Sequence, residues 1–221
     1  MYGLLPRGLD GKNSFLTRIE DMAAYYVEAI RTMQPNGPYS LVGYSFGGLV
    51  AFEVAQQIKA QGGEVQFLGL FDSVESHYAD RVNKSLRPGE RMDVLKEHLN
   101  AIVFSADRFA YSKKLLNGKI SRLKYRFLQS LGRPLPQNVG DLEEINSFAA
   151  TKYYPKVYAG KLTLFRSMKR VIQQGSDEYL GWKEFAGAGV EVHHVPSTHF
   201  DILQEPGVSV IAEKLRGFLG L

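Results

Sequence analysis

The pentapeptide Gly43-Tyr44-Ser45-Phe46-Gly47 fits the pattern G-x-S-x-G and stands where a strand hands over to a helix. Tyr39-Ser40-Leu41-Val42 is a short apolar run suited to a buried parallel strand. From Phe46 to Gln61 the residues repeat with helical spacing. Val50, Val54 and Ile58 fall four apart, with Leu49, Phe52 and Ala55 beside them. A serine at such a junction is held on a sharp turn that exposes its hydroxyl. The turn is tight enough that Gly43 and Gly47 are both expected to be needed for clearance. The N–H of Phe46, at the helix N-terminus, is the expected oxyanion donor. The bland alternative is an ordinary glycine-rich turn.

A serine hydroxyl needs a base to take its proton. The five histidines are His77, His98, His193, His194 and His199. Chain order in hydrolases with this elbow is serine, acid, histidine, with the histidine after the last strand. Gly189 to Val195 reads as that strand and Pro196-Ser197-Thr198-His199 as the loop after it, so His199 is the expected base. His193 and His194 lie on the strand itself and read as structural. His98 reads as solvated, and His77 as structural or as lining the site. The acid must orient the imidazole and stabilise its charged form. Asp72 closes the apolar run Glu64 to Phe71 and is favoured. Asp177, in the polar loop after the run Lys161 to Phe165, is the alternative acid.

These segments resemble the thioesterase domains at the end of nonribosomal peptide and polyketide synthetases. The resemblance is carried by Tyr2-Gly3-Leu4 with Arg7 to Gly11, Ile19 to Ile30, Gly37 to Gly48, and Leu68 to Ser73. It continues through Tyr154 to Phe165, Gly181-Trp182 and Val195 to Glu205. It implies an α/β-hydrolase fold and a triad of Ser45, Asp72 and His199. It also implies a substrate delivered as a thioester on the phosphopantetheine of an acyl or peptidyl carrier protein. In the integrated, product-releasing members the acid occupies the position of Asp72; in free-standing editing members it lies later, near Asp177. Two departures stand out. The family usually carries glycine before the histidine, where this chain has Ser197-Thr198. The loop that supplies the second oxyanion donor is expected upstream of Met1, with further N-terminal strands.

The expected architecture is a doubly wound, mostly parallel α/β sheet spanning residues 1–221. Strand-like runs near Tyr2 to Leu5, at the elbow and before Asp72 alternate with helices at Ile19 to Met33 and after Ser45. The alternation stops between about residues 77 and 152, where helical patterning predicts a lid insertion, and resumes at Gly160. Val208 to Leu219 is the expected closing helix. Within the lid, Arg108, Lys113, Lys114, Lys119, Arg122, Lys124, Arg126 and Arg133 face one acid, Asp107. That run reads either as a solvated helix face or as a docking surface for an acidic carrier protein.

With 221 residues, 44% hydrophobic and 12% aromatic, the composition is that of a globular domain. The absence of cysteine excludes disulfides, thiol catalysis and thiolate metal sites. No histidine spacing suggests a metal, and no glycine loop suggests a bound nucleotide. No partner role for nucleic acid or membrane is expected. No charged-plus-apolar leader follows Met1, so the default location is cytoplasmic. The same residues would serve a free-standing editing thioesterase or a carboxylesterase, and a non-catalytic fragment with a carrier-docking face is the remaining class.

Overall fold

The computed structural model describes residues 2–9, 12–85, 127, 142–169 and 177–220. The basic run of the lid and His98 lie outside the described residues. The chain divides into two compact units. One joins Met1–Thr17 to Ala79–Ala149; the other joins Arg18–Tyr78 to Ala150–Leu221. In the first unit, residues 2–6 take no regular secondary structure, and Tyr2 and Leu5 are each 77% exposed. The strand expected at Tyr2 to Leu5 is therefore not formed. An extended segment becomes a strand only when a neighbour satisfies its backbone, and apolar content alone does not supply one.

The second unit contains the sheet. Its described strands are β1 (Tyr39–Tyr44), β2 (Val65–Phe71), β3 (Leu162–Ser167) and β4 (Val190–Val195), in spatial order β1-β2-β3-β4 and all parallel. The helices bordering them are α1 (Ile19–Met33), α2 (Phe46–Ala60) and α5 (Gly207–Leu219); α3 (Tyr78–Ser85) and α4 (Leu142–Lys152) run across the division between units. Leu68, Leu70 and Leu164 point to one face and are buried, alongside Gly43, which lies against α2. Phe67, Phe71 and Phe165 point to the other face, where they cluster with Val195, Ile202 and Ile211 of α5. Both faces of the central strands are thus covered by helices, which is why β2 and β3 read as unbroken apolar runs.

β1 departs from the buried strand expected for it. Ser40 and Val42 are exposed, Val42 by 40%. The physical reason is its place at the edge of the described sheet, where the buried strand residues of the α5 cluster come from β2, β3 and β4 and β1 adds the partly buried Tyr44.

α1 buries Ile19, Met22, Ala23 and Val27, a stripe at helical spacing that packs on α2. Glu20 and Asp21 in its first turn and Arg31 in its last complement the helix dipole. α2 is buried nearly all round, by Leu49, Val50, Ala51, Phe52, Val54, Ala55 and Ile58. Gly62, at φ 76°, ends it, and the Gly63 N–H reaches the Ile58 carbonyl at 2.8 Å.

The elbow assigns its glycines differently from the sequence reading. A Cβ on Gly43 would lie 2.2 Å from the Gly47 carbonyl oxygen, and one on Gly48 would lie 2.4 Å from Ser73 Cβ. A Cβ on Gly47 would meet nothing within 4 Å. The crossing of β1 and α2 therefore needs Gly43, and the approach of α2 to the end of β2 needs Gly48. Gly43→Ala and Gly48→Ala are each expected to cost about 1–3 kcal/mol, the scale of core overpacking. Gly47→Ala is expected to leave stability unchanged or raise it by up to about 1 kcal/mol through helix propensity. Urea unfolding of the three variants measures the difference.

Candidate active site

Ser45, Asp72 and His199 leave the sheet at the carboxyl ends of β1 and β2 and after β4, all within the second unit. Ligand-binding crevices of open parallel sheets lie at this end. Ser45 sits at φ 52°, ψ −120°, a sparsely populated conformation for a residue with a Cβ. Its N–H is tied to the Phe71 carbonyl at 2.9 Å, and its carbonyl accepts from the Gly48 N–H at 3.0 Å. The strained turn is thus held from both sides. Phe46 is the first residue of α2. A helix leaves its first N–H groups without intrahelical partners, so the Phe46 N–H is a donor beside the serine.

Ser45 Oγ lies 3.0 Å from His199 Nε2, and His199 Nδ1 lies 2.7 Å from Asp72 Oδ2. An ionised carboxylate only accepts, so the imidazole proton sits on Nδ1 and Nε2 is free to accept from the serine hydroxyl. Asp72 is fully buried, whereas the His199 side chain is 32% exposed. The Asp72 carboxyl is therefore shielded from water and the His199 ring has one open side.

The Asp72 carboxylate is held independently of the histidine. Ser167, the last residue of β3, donates its N–H to Oδ1 at 3.0 Å and its hydroxyl to Oδ2 at 2.8 Å. The Asp72 N–H donates to the Phe165 carbonyl at 2.7 Å, and Asp72 itself takes a positive φ of 45°. Behind it, Trp182 donates its indole N–H to the Ser73 carbonyl at 2.9 Å. Gly181, at φ 87°, packs against Tyr78, where an added Cβ would come within 2.9 Å. Gly181-Trp182 thus clamps the segment that follows the acid.

The histidine loop has its own brace. Thr198 Oγ1 donates to Asp201 Oδ1 at 2.7 Å across His199. This bond is the first cause that holds the Asp201 carboxyl below the usual carboxylate range. Thr198 thereby braces the loop that carries His199. Tyr44, inside the pentapeptide, donates its hydroxyl to the His199 carbonyl at 2.7 Å and stacks on the imidazole, with centroids 5.2 Å apart. Burial first, then the neighbouring Asp72 and Asp201, push the Tyr44 phenol above its ordinary value, so it remains a donor at neutral pH.

The other candidates are not brought to this chain of bonds. Asp177 accepts the N–H groups of Tyr179 at 2.7 Å and Gly181 at 3.4 Å, and its own N–H meets the Tyr78 hydroxyl. It is a turn residue facing its own loop. His77 donates Nε2–H to the Tyr153 carbonyl at 3.0 Å and stacks on Tyr154. His193 lies 3.0 Å from Glu191 and beside Phe165, and His194 lies 3.5 Å from Glu178. Among the described residues no group of three His, Cys, Asp or Glu side chains is placed to hold a metal. Among the same residues no helix is long and apolar enough to cross a membrane.

The sequence reading missed Ser167, Tyr44 and the Thr198–Asp201 brace. A faint signal existed for Ser167, a hydroxyl at the carboxyl end of an apolar strand. Tyr44 is adjacent to the nucleophile but carries no mark that its ring would meet a residue 155 positions away.

The family model described as Thioesterase domain matches residues 2–219. The chain belongs to the thioesterase domain family. Malpibaldin synthetase of Mortierella alpina is 29% identical over 219 residues, covering 96% of this chain and 3% of that protein. Malpinin synthetase of the same organism is 28% identical over 218 residues, covering 97% of this chain and 2% of that protein. The chain therefore spans a few per cent of the length of these curated relatives. Among solved structures, the NocB thioesterase domain from the nocardicin cluster is 28% identical with a TM-score of 0.60, covering 98% of this chain and 79% of that one. The RedJ thioesterase of the prodiginine pathway in Streptomyces coelicolor, at 18% identity and a TM-score of 0.60, shares the fold over 96% of this chain and 76% of its own. The fold is that of the α/β-hydrolase thioesterases.

Because Asp72, and not Asp177, is bonded to the imidazole, the two acids of this thioesterase domain should separate in a reactivity test. Asp72→Asn is expected to slow phosphonylation of Ser45 by a fluorophosphonate by about a thousandfold or more, through loss of the productive tautomer. Asp177→Asn is expected to stay within about threefold of the parent, as a surface turn change. Intact-mass time courses supply both rates.

Proposed function

We propose that this domain is a serine thioesterase that releases an acyl or peptidyl chain from the phosphopantetheine thioester of a carrier protein, in the cytoplasm, through an acyl-Ser45 intermediate. The observation that carries this reading is the continuous bond chain from Ser45 Oγ through His199 to the buried Asp72. Membership of the thioesterase domain family and similarity to two synthetases support the substrate class.

In the proposed reaction Ser45 Oγ attacks the thioester carbonyl carbon as its proton passes to His199 Nε2. Asp72 stabilises the imidazolium through the Nδ1 bond. The carbonyl oxygen becomes an oxyanion and takes a hydrogen bond from the Phe46 N–H. The carbon–sulfur bond then breaks, and the pantetheine thiol leaves with the proton held by His199. Water, or a nucleophile within the bound chain, next gives its proton to His199 and attacks the acyl-serine carbonyl carbon; the bond to Ser45 Oγ then breaks and His199 returns the proton to that oxygen. The first course yields a free acid and the second a ring. No resident cofactor takes part; phosphopantetheine enters as the arm that presents the substrate. The oxyanion hole has one donor assigned here, and a second is worth about a hundredfold or more in rate.

Ser45→Ala is expected to abolish the acyl adduct that forms when the domain is incubated with an acyl-pantetheine thioester. The adduct is read as a mass increase on the intact protein, with circular dichroism to show an unchanged fold. An adduct of equal yield in Ser45→Ala would overturn the reading.

A further inference from the structure

The side chain of Tyr44, in the elbow, has no part in the reaction as written, yet it makes two separate contacts with the base. Its hydroxyl is bonded to the His199 carbonyl at 2.7 Å, and its ring lies over the imidazole with an interplanar angle of 30°. The imidazole is also held by two bonds, Nδ1 to Asp72 and Nε2 to Ser45, and meets the Phe200 ring edge-on with centroids 5.4 Å apart. Both bonds lie near the plane of the ring. Two contacts in that plane do not by themselves stop the ring tilting about the axis that joins them, and tilting misdirects the Nε2 lone pair from the serine hydroxyl. A stacked neighbour removes this freedom. His199 also sits in a turn with 32% of its side chain exposed. The hydroxyl bond from Tyr44 anchors its backbone from outside that turn, beside the Lys169 N–H bond to the Ser197 carbonyl.

We infer that Tyr44 is a positioning residue that fixes both the plane and the backbone of His199 from within the nucleophile elbow. This rests on the triad reading given above. Tyr44 directly precedes Ser45, so the tether makes nucleophile and base one mechanical unit: a shift of the elbow carries the histidine loop with it. The face of the tyrosine ring also favours a cation stacked upon it, which is the form His199 takes once it has accepted the serine proton. Burial and the nearby Asp72 and Asp201 keep the phenol protonated, which preserves the tether at neutral pH.

The test uses the whole chain and a simple alkyl fluorophosphonate. Ser45 Oγ bonds to phosphorus, fluoride leaves, and the serine proton goes to His199. The rate at saturating probe and the probe concentration at half-saturation are measured separately for each variant. Tyr44→Leu, which removes ring and hydroxyl, is expected to lower the saturated rate about tenfold with half-saturation unchanged. Tyr44→Phe, which keeps the ring and loses the tether, is expected to recover part of that loss and to lie about threefold below the parent. A rise in half-saturation with an unchanged saturated rate would instead make Tyr44 a wall of the substrate site, and the inference would fail. It would fail equally if Tyr44→Phe reacted at the parent rate, a result that decides the matter even where Tyr44→Leu does not fold. Ser45→Ala, run alongside, must give no adduct. An adduct there would defeat the triad reading itself, independently of what Tyr44 does.

Discussion

A fully buried carboxylate at the end of β2 is the constraint on which the site depends. Removing an ionised group from water costs several kcal/mol unless hydrogen bonds and a counter-charge replace the lost solvation. At Asp72 two of the replacements come from Ser167, one of them a backbone N–H at the end of β3. Another comes from His199 Nδ1, whose ring takes a full charge in the proposed reaction. The carboxylate is thus satisfied at rest and has a negative charge in place, out of water, where the imidazolium would form. Low local polarity strengthens that attraction relative to an exposed pair. In the proposed reaction the open side of His199 and the closed side of Asp72 divide the labour: one exchanges protons with a substrate, the other does not.

Strain follows the same division. Ser45 and Asp72 both sit at positive φ, and neither is a glycine. Each such residue costs on the order of 1–3 kcal/mol and persists only where surrounding structure over-determines it. At Ser45 the over-determination is supplied by Gly43, whose missing Cβ lets α2 cross β1, and by bonds to Phe71 and Gly48. At Asp72 it is supplied by the bond to Phe165 and by the clamp of Gly181 and Trp182 on the following residues. The stabilising interactions therefore lie beside the strained residues and come from fully buried groups such as Trp182.

The parts of this arrangement legible in the sequence are those governed by local rules. α1 occupies Ile19–Met33 as read from periodicity, and β2, β3 and β4 lie within a residue or two of their apolar runs. Ser45, Asp72 and His199 could be singled out because chain order and strand ends restrict where each can be. What was not legible depends on tertiary partners. The apolar run at Tyr2 to Leu5 has strand composition but no ladder, and the exposed half of β1 reflects its edge position, which composition does not encode. Gly47 fits the pentapeptide pattern, yet Gly48 carries the steric demand, because its neighbour is Ser73 on the following strand end. Ser167 and Tyr44 are ordinary residues until the fold brings Asp72 and His199 to them.

Ser45, Asp72 and the loop of His199 are placed by an extension of the parallel ladder beyond its strands. The Ser45 N–H bonds back to Phe71 of β2, the Asp72 N–H to Phe165 of β3, and the Met168 N–H to Val195 of β4. Lys169 then bonds to Ser197, two residues before His199. Each chain leaving the sheet is thus fastened to the next strand across, from the nucleophile side to the base side. Because side chains alternate along a strand, a one-residue slip in any of these pairings would turn the exiting residue to the opposite face. Register is fixed in turn by the pairing of Leu70 with Leu164 and of Leu164 with Val192, whose side chains pack on one face of the sheet. The apolar core therefore sets which way Ser45 and Asp72 face. The bonds that close the chain from serine to aspartate act on a geometry the core has already restricted.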